Sequence, residues 1–427
     1  MMKKLIFILL TTLVIAQPEF NVITNNNPYP AKLFIHSMSE YMSILDTSLN
    51  YYWVINNNNK GMDFKYNNSK ISYFHKPYFS SNEAYWIIAD HSMAEIDSIQ
   101  CININNGGQT DYHDIIITDN NTYILQAYDI QLFDLTSVGG SEYEVVRGIL
   151  RIQEFDFDHN LIFDWDASNY LDIYDYDFFN GQQIPGQIEW MHGNSIDIDY
   201  DNNLILSNRR SSEIIKINRI TGAIIWIMGG PLNEFTILND PLNGVSQQHD
   251  VTRLENGNLL VFDNGNYHTP PTSRVVEYEI DEINKTATLV WEFENQNGYI
   301  SRAMGSAQRL PNQNTLINWG SVQVEGVALG ANITEVDYDK NIVLEIQYDV
   351  YESYKVTKSD FEFNIPMGIG DTNLDNSLNI QDIIYTVNYV YNSHNSYSMF
   401  HLYKIDTNLD YAIDIIDIIE LVYRILN

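Results

Sequence analysis

The sequence predicts an all-β protein, a six-bladed β-propeller over residues 20–358, with a small α-helical module of paired calcium-type loops over residues 366–427. Two observations carry the propeller. A two-hairpin pattern recurs at intervals near 55 residues, and the chain is rich in Ile and Tyr, which favour strands, and in Asn and Asp, which favour tight turns. The third observation is an acidic pentapeptide used twice: Asp-Thr-Asn-Leu-Asp begins at Asp371 and again at Asp406.

The first element is an export signal. Lys3 and Lys4 precede a run over residues 5–15 that is apolar apart from Thr11 and Thr12, and Val14-Ile15-Ala16 offers a cleavage site. Residues 1–16 are therefore expected to be removed, leaving a secreted chain (periplasmic, cell-surface or extracellular) that starts near Gln17. The run is too short to span a bilayer, and no later stretch is apolar for long enough, so no membrane span is expected in the mature chain. Cys101 is the single cysteine, so no intramolecular disulfide can form, and it reads as a buried strand residue. A net charge of −33 is repelled by phosphate backbones and anionic membranes, which argues against nucleic-acid binding.

The repeat comes next. Residues 113–128, 194–209, 249–264 and 305–319 share a polar or small pair, a strand, an Asn-rich turn and a second strand. Their starts lie 81, 55 and 56 residues apart, so the first interval carries an insertion, expected around residues 169–183. Between them lies a second hairpin whose last strand holds a Trp: residues 41–53, 152–165, 214–226 and 275–291. Two hairpins make one four-stranded sheet, and residues 20–355 hold about six such units.

Equivalent positions in the repeat bring distinctive side chains to the propeller axis. Histidine stands in Asp111-Tyr112-His113-Asp114 and in Gln247-Gln248-His249-Asp250, and two residues earlier in the intervening unit, in Trp190-Met191-His192-Gly193-Asn194-Ser195. Arg209 closes the hairpin that follows His192. Imidazoles with a guanidinium suit a compact anion, and a neutral imidazole can hold a transferred group covalently. Three histidines also suit zinc or copper. Asp114 and Asp250 are expected to orient imidazoles or to pair with neighbouring backbone.

The C-terminal element has its own chemistry. Counting from Asp371, oxygen ligands fall at Asp371, Asn373, Asp375, the Ser377 carbonyl, Asn379 and Asp382. The second copy gives Asp406, Asn408, Asp410, the Ala412 carbonyl, Asp414 and Asp417 at the same offsets, and each loop runs into an apolar helix. Alternate oxygens at this spacing wrap one calcium ion per loop. Position 6, usually Gly, is Asn376 in one loop and Tyr411 in the other, and Tyr tolerates a left-handed backbone poorly, which points to weaker binding by the second loop.

Taken in order, Trp190-x-His192-x-Asn194-Ser195, Ser207-x-Arg209, Trp226-x-x-Gly229-Gly230, Gln248-His249-Asp250-Val251, Phe262-Asp263-Asn264-Gly265 and Ser273-Arg274 resemble the bacterial arylsulfate sulfotransferases. The likeness covers most of residues 30–350, including Gly61-x-Asp63-Phe64-Lys65. It implies a ping-pong transfer from an aryl sulfate donor to a phenolic acceptor, with no organic cofactor and no nucleotide sulfate. It also implies His249 as the nucleophile that becomes sulfohistidine, with Arg209, His192 and His113 holding the sulfuryl oxygens and one histidine moving the proton. Asn194 would orient the site or contact the anion, and Arg210 competes with Arg209 for the arginine role. Glu189 stands where the family commonly has Asp, and Ser207-Asn208-Arg209 replaces Ser-Ser-Arg. The paired loops resemble a dockerin module, which implies calcium and a cohesin-like or cell-surface protein partner, or else a calcium-stabilised cap without one. Two other functions fit the same residues: a non-catalytic binding propeller on a surface scaffold, and a metal-dependent lyase or hydrolase acting on extracellular polymers.

Overall fold

The computed structural model describes residues 18–37, 41–56, 62–75, 84–105, 108–176, 188–349, 352–362, 369–373, 377–391, 404–408 and 413–426. The expected export signal and Gly61 lie outside them, as do loop residues Asp375, Asn376, Asp410, Tyr411 and Ala412. No helix among the described residues is long and apolar enough to cross a membrane.

Among the described residues, six sheets follow one another, each built on four antiparallel strands; sheet 5 adds a parallel edge strand, Thr236–Leu238, and a separate three-stranded sheet is formed by Ile300–Ser301, Val322–Val324 and Val327–Ala328. Sheet 2 is Met62–Asn67, Lys70–His75, Tyr85–Ala89 and Glu95–Ile99; sheet 3 is Gln109–Ile117, Tyr123–Phe133, Glu144–Phe155 and Leu161–Asp166. Sheet 4 is Gly193–Ile198, Leu204–Asn208, Glu213–Ile217 and Ile224–Gly229; sheet 5 is His249–Arg253, Leu259–Asp263, Arg274–Asp281 and Thr286–Glu294. Sheet 6 is Ser306–Arg309, Thr315–Asn318, Asn332–Val336 and Ile342–Tyr348, with Phe20–Asn25 added at its outer edge. Sheet 1 joins both ends of this region: its first strand is Ser353–Ser359, paired with Lys32–Ser37, then Tyr41–Leu45 and Tyr51–Asn56.

The first strands of sheets 1 to 6 touch their neighbours in sequence, and that of sheet 6 touches that of sheet 1, closing a propeller-like ring. The apolar cores follow the same order. Each lies between consecutive sheets, the last between sheets 6 and 1, where Leu33 and Ile35 pack with Leu316 and Ile333. Middle strands are covered on both faces, so they read as apolar runs rather than alternating patterns; Leu204–Asn208 and Leu259–Asp263 are buried throughout.

The Asn-rich turns have one geometry. In Thr118–Thr122, Asp199–Asn203, Leu254–Asn258 and Leu310–Asn314 the first N–H donates to the fifth carbonyl. The fourth residue then sits in the left-handed region, at Asn121, Asn202, Gly257 and Gln313. Asn and Gly accept that conformation most readily, which is why the repeat was visible in composition. The insertion in the first interval is larger than the sequence suggested. Part of it is the stretch after Asp166, where 3-10 turns Ala167–Asn169 and Ile173–Asp175 lie, but strands Tyr123–Phe133 and Glu144–Phe155 also extend into a long hairpin.

Cys101 lies just after Glu95–Ile99 rather than within a strand; it is buried, and burial pushes its thiol well above the usual range. The C-terminal module contains helices α1 (Ile380–Tyr391) and α2 (Ile415–Leu426), which pack together. Its two loops are built alike. The Asp382 carboxylate accepts the N–H groups of Thr372, Asn373 and Asn379, and Asp417 accepts those of Thr407, Asn408 and Asp414. Thr372 and Thr407 each donate a hydroxyl to the carbonyl of their own closing Asp.

Candidate active site

The first strands of sheets 3, 4 and 5 begin at one end of the ring, opposite the five-residue turns, and this end gathers the three histidines. Register shifts interrupt these strands near their starts, between Leu125 and Ala127 on the partner of Gln109–Ile117, between Gly193 and Ser195, and between His249 and Val251. At the last of these, Asp250 takes φ 52°, so the extra residue kinks the strand beside His249.

His249 is almost fully buried, and its Nδ1 lies 2.7 Å from Asn264 Oδ1. Asn264 donates its amide to two carbonyls, Ser301 at 2.8 Å and Met304 at 2.9 Å, so the oxygen faces the imidazole and can only accept. Nδ1 of His249 therefore carries the proton, and Nε2 keeps its lone pair. Burial, and next the Arg209 guanidinium, hold the His249 pKa well below the usual histidine value, so the ring is neutral at pH 7.

The other two imidazoles are backed by carboxylates. His113 Nδ1 lies 2.5 Å from Asp111 Oδ1, and the His113 ring stacks on Tyr112 at 4.2 Å. Its carbonyl accepts the Tyr354 hydroxyl at 3.1 Å. His192 Nδ1 lies 2.9 Å from Glu189 Oε1, and its ring meets that of His113 edge to face at 4.7 Å. Strand Ile188–Glu189, parallel to Val146–Arg147, holds this acid in place. Burial pushes the Glu189 carboxyl up, but the His192 hydrogen bond and the charges of Arg210 and Arg209 outweigh it and keep the carboxylate ionised. Burial holds His192 below the usual histidine pKa despite Glu189.

Arg209 follows His192 in the ladder, its N–H donating to the His192 carbonyl at 2.8 Å. Its guanidinium donates one bond to the Arg302 carbonyl at 3.0 Å, pairs with no carboxylate among the described residues, and has a buried Nε without a partner. A desolvated guanidinium that forms no ion pair among the described residues, within electrostatic reach of the His249 and His192 imidazoles and of the Glu189 carboxylate, has the chemistry to hold an anion. Arg210 also lies within the electrostatic reach of Glu189. Asn194 is fully buried and donates to the Gln248 carbonyl at 2.7 Å, so it fixes the backbone just ahead of His249.

Asp114 and Asp250 bond neighbouring backbone rather than imidazoles: Asp114 Oδ2 accepts from Ile196 N and Asp250 Oδ2 from Ala307 N, each at 3.0 Å. The orienting groups are Asp111, Glu189 and Asn264 instead. The sequence did not mark any of the three for that role; Asn264 is fifteen residues from His249 and becomes its partner only across the hairpin. Among the described residues no three His, Cys, Asp or Glu side chains converge as a metal-ligand set.

Behind the site, Glu213 is fully buried and accepts from Ser211, Asn208 and Tyr176, while Asn208 in turn accepts the His192 N–H. Burial pushes the Glu213 carboxyl up to about 7. A raised acid favours folding while protonated, so that stability is present below the usual carboxylate range and is lost as pH climbs through about 7. Glu213→Gln is thus expected to leave stability at pH 5 unchanged and to raise it at pH 8.5 by on the order of 2 kcal/mol, read by denaturant unfolding.

Residues 17–355 match the model of the arylsulfotransferase (ASST) family. The chain belongs to that family. A curated relative, the arylsulfate sulfotransferase AssT of Escherichia coli O6:H1, is 27% identical over 203 residues. The match covers 39% of this chain and 33% of the relative, so the chain spans about a third of that relative's length. Among solved structures, a protein of unknown function from Bacteroides caccae aligns over 77% of this chain and 99% of its own, at TM-score 0.47 and 11% identity. The periplasmic gluconolactonase PpgL of Pseudomonas aeruginosa aligns over 78% and 99%, at TM-score 0.44 and 9% identity.

Proposed function

We propose that this arylsulfotransferase family member is a secreted, six-bladed propeller enzyme that moves a sulfuryl group from an aryl sulfate to a phenol through a sulfohistidine on His249, without a nucleotide sulfate donor. The observation that carries this reading is the bond from His249 Nδ1 to Asn264, which leaves the Nε2 lone pair of a neutral imidazole within electrostatic reach of a guanidinium that forms no ion pair among the described residues. Nε2 attacks sulfur, the N–S bond forms, and the bond from sulfur to the aryl oxygen breaks. Arg209 and His192 hold the sulfuryl oxygens and offset charge on the departing group. His113, backed by Asp111, gives a proton to the leaving aryl oxide and takes one from the incoming phenol. The phenol oxygen then displaces His249, and the imidazole regains its lone pair.

The test is 4-nitrophenyl sulfate mixed with a phenol. Nitrophenolate release that depends on the acceptor, with a burst equal to the enzyme concentration when no acceptor is present, supports the reading; no release with any sulfate ester defeats it. Asn264→Leu is expected to keep the fold and lower the burst rate by about 10²-fold, because the imidazole then loses the partner that fixes its tautomer.

The C-terminal module supports calcium binding as a second, separate property. Asp382 is fully buried and forms no ion pair among the described residues, so its bonds to N–H groups leave a net charge that a cation at Asp371, Asn373, Asp375, Ser377, Asn379 and Asp382 would neutralise. Asp406, Asn408, Asp410, Ala412, Asp414 and Asp417 would hold the second ion. Each helix also exposes a matching apolar row, Ile380, Ile384 and Tyr391 on α1 and Ile415, Ile419 and Leu426 on α2, which fits a dockerin-like contact with a cohesin-like or cell-surface protein. Calorimetric titration of the full chain is expected to give two calcium ions, falling to one in either Asp382→Ala or Asp417→Ala; an unchanged stoichiometry would rule out the loop assignment.

A further inference from the structure

Just inside the histidine cluster, the first strands of all six sheets meet in one buried ionic network. Lys355, on Ser353–Ser359, lies 3.0 Å from Asp114 and 3.3 Å from Asp250. Asp114 directly follows His113, and Asp250 directly follows His249. Lys65 lies 2.5 Å from the other Asp114 oxygen and 2.6 Å from Asp63. Through their second bonds the same two carboxylates reach Ile196 on sheet 4 and Ala307 on sheet 6. Ser195 and Ser306 occupy the corresponding positions on their strands and bond Val251 N and Val356 N in the same way. A hydroxyl is enough to make that strand-to-strand bond. The carboxylates at positions 114 and 250 add charge that the bond does not need, and Lys355 is the cation that spans both.

We propose that Lys355 is a positioning residue for the transfer, its ammonium clamping the two carboxylates that follow His113 and His249 and so fixing the spacing and charge of both imidazoles. The clamp is electrostatic as well as geometric. Uncompensated, Asp114 and Asp250 would favour the imidazolium form of His249, which has no lone pair with which to attack sulfur. The cations Lys355, Lys65 and Arg209 oppose them; His113 and His192 also face His249, with Asp111 and Glu189 behind those two, and the buried Asp63 and Asp197 carboxyls lie within electrostatic reach of the same network. Burial alone would lower the Lys355 pKa, yet Asp114, Asp250 and the nearby Asp63 raise it above the usual lysine range, so the clamp stays charged at working pH.

This inference rests on the sulfotransferase reading for its kinetic half, and a spectroscopic half separates the two. Lys355→Met is expected to slow the nitrophenolate burst at least tenfold with little change in donor KM, and Lys355→Arg to restore most of the rate. By NMR of ¹³C-labelled histidine, with the His249 signal assigned by its loss in His249→Ala, the titration of His249 is expected to move up by about one pH unit in Lys355→Met. Asp250→Asn keeps an oxygen for Ala307 N but removes an anion, so it should move the same titration down, and it serves where Lys355→Met fails to fold. An unchanged His249 titration in the folded variants would overturn the proposal. So would an unchanged burst rate in an active enzyme. Absence of any burst in the wild type would defeat the sulfotransferase reading while leaving the titration arm decisive.

Discussion

His249→Ala is expected to abolish the burst of nitrophenolate from 4-nitrophenyl sulfate, lowering it by at least about 10³-fold, while circular dichroism and unfolding midpoint stay near those of the wild type. The size of the effect follows from the division of labour in the site. Arg209, His192 and His113 can hold and neutralise a sulfuryl group, but only His249 combines a neutral ring with an Nδ1 proton fixed by Asn264. Removing an anion contact weakens both half-reactions in proportion; removing the nucleophile removes the intermediate. The fold should survive because among the described residues the imidazole makes one side-chain hydrogen bond, and Asn264 keeps two other partners, the Ser301 and Met304 carbonyls. Arg209→Ala should behave differently, raising donor KM and lowering the burst rate together, since its guanidinium meets the anion in both ground and transition states. Acceptor-dependent turnover that survives in His249→Ala would sink the sulfohistidine mechanism.

How much of this was legible depended on sequence distance. The sheets were readable because their turns need a left-handed residue at one position, and Asn121, Asn202 and Gly257 advertise it in composition. The histidines were readable because three of them stand at related places in a repeat. The groups that tune them were not: Asp114 and Asp250, which flank the histidines, were the acids expected to orient imidazoles or to pair with backbone, whereas Asp111 and Glu189, two and three residues before their histidines, hold the rings. Asn264 was seen as the end of a hairpin, but its role depends on Ser301 and Met304, which turn its amide away from His249. Lys355 could not have been found, because it lies 241 residues from Asp114 and meets it only when the ring closes. The extension of the long hairpin from Tyr128 to Phe133 was missed for another reason. Its exposed Leu132 and Val145 follow no buried-face pattern, so nothing in the residues marked it as strand.

Arg274→Met is expected to destabilise the protein by about 3–5 kcal/mol, the largest stability loss of any single change proposed for this chain. Arg274 is fully buried between sheet 5 and the loop that leads to His249. Its guanidinium donates to both Asp240 oxygens at 2.9 Å, to Asp263 at 3.1 Å, to Glu292 at 2.9 Å and to the Gly244 carbonyl at 3.0 Å. The Asp240 and Asp263 side chains have no exposed surface, so deleting the cation strands two buried charges rather than one pair. Lysine should not rescue, because a point charge on a flexible stem cannot meet acids on two sides of a planar fork. Asp240→Asn in the same chain should recover part of the loss, and that recovery distinguishes stranded charge from lost packing; none would show that packing dominates. Activity should fall with stability, because the other Asp263 oxygen accepts Ser246 N at 2.8 Å and Gly265 N at 3.0 Å, on either side of the His249 and Asn264 pair. The arginine therefore acts on the nucleophile through the loop it anchors, touching neither the imidazole nor the sulfuryl site, and its variant should lose burst rate with donor KM nearly unchanged.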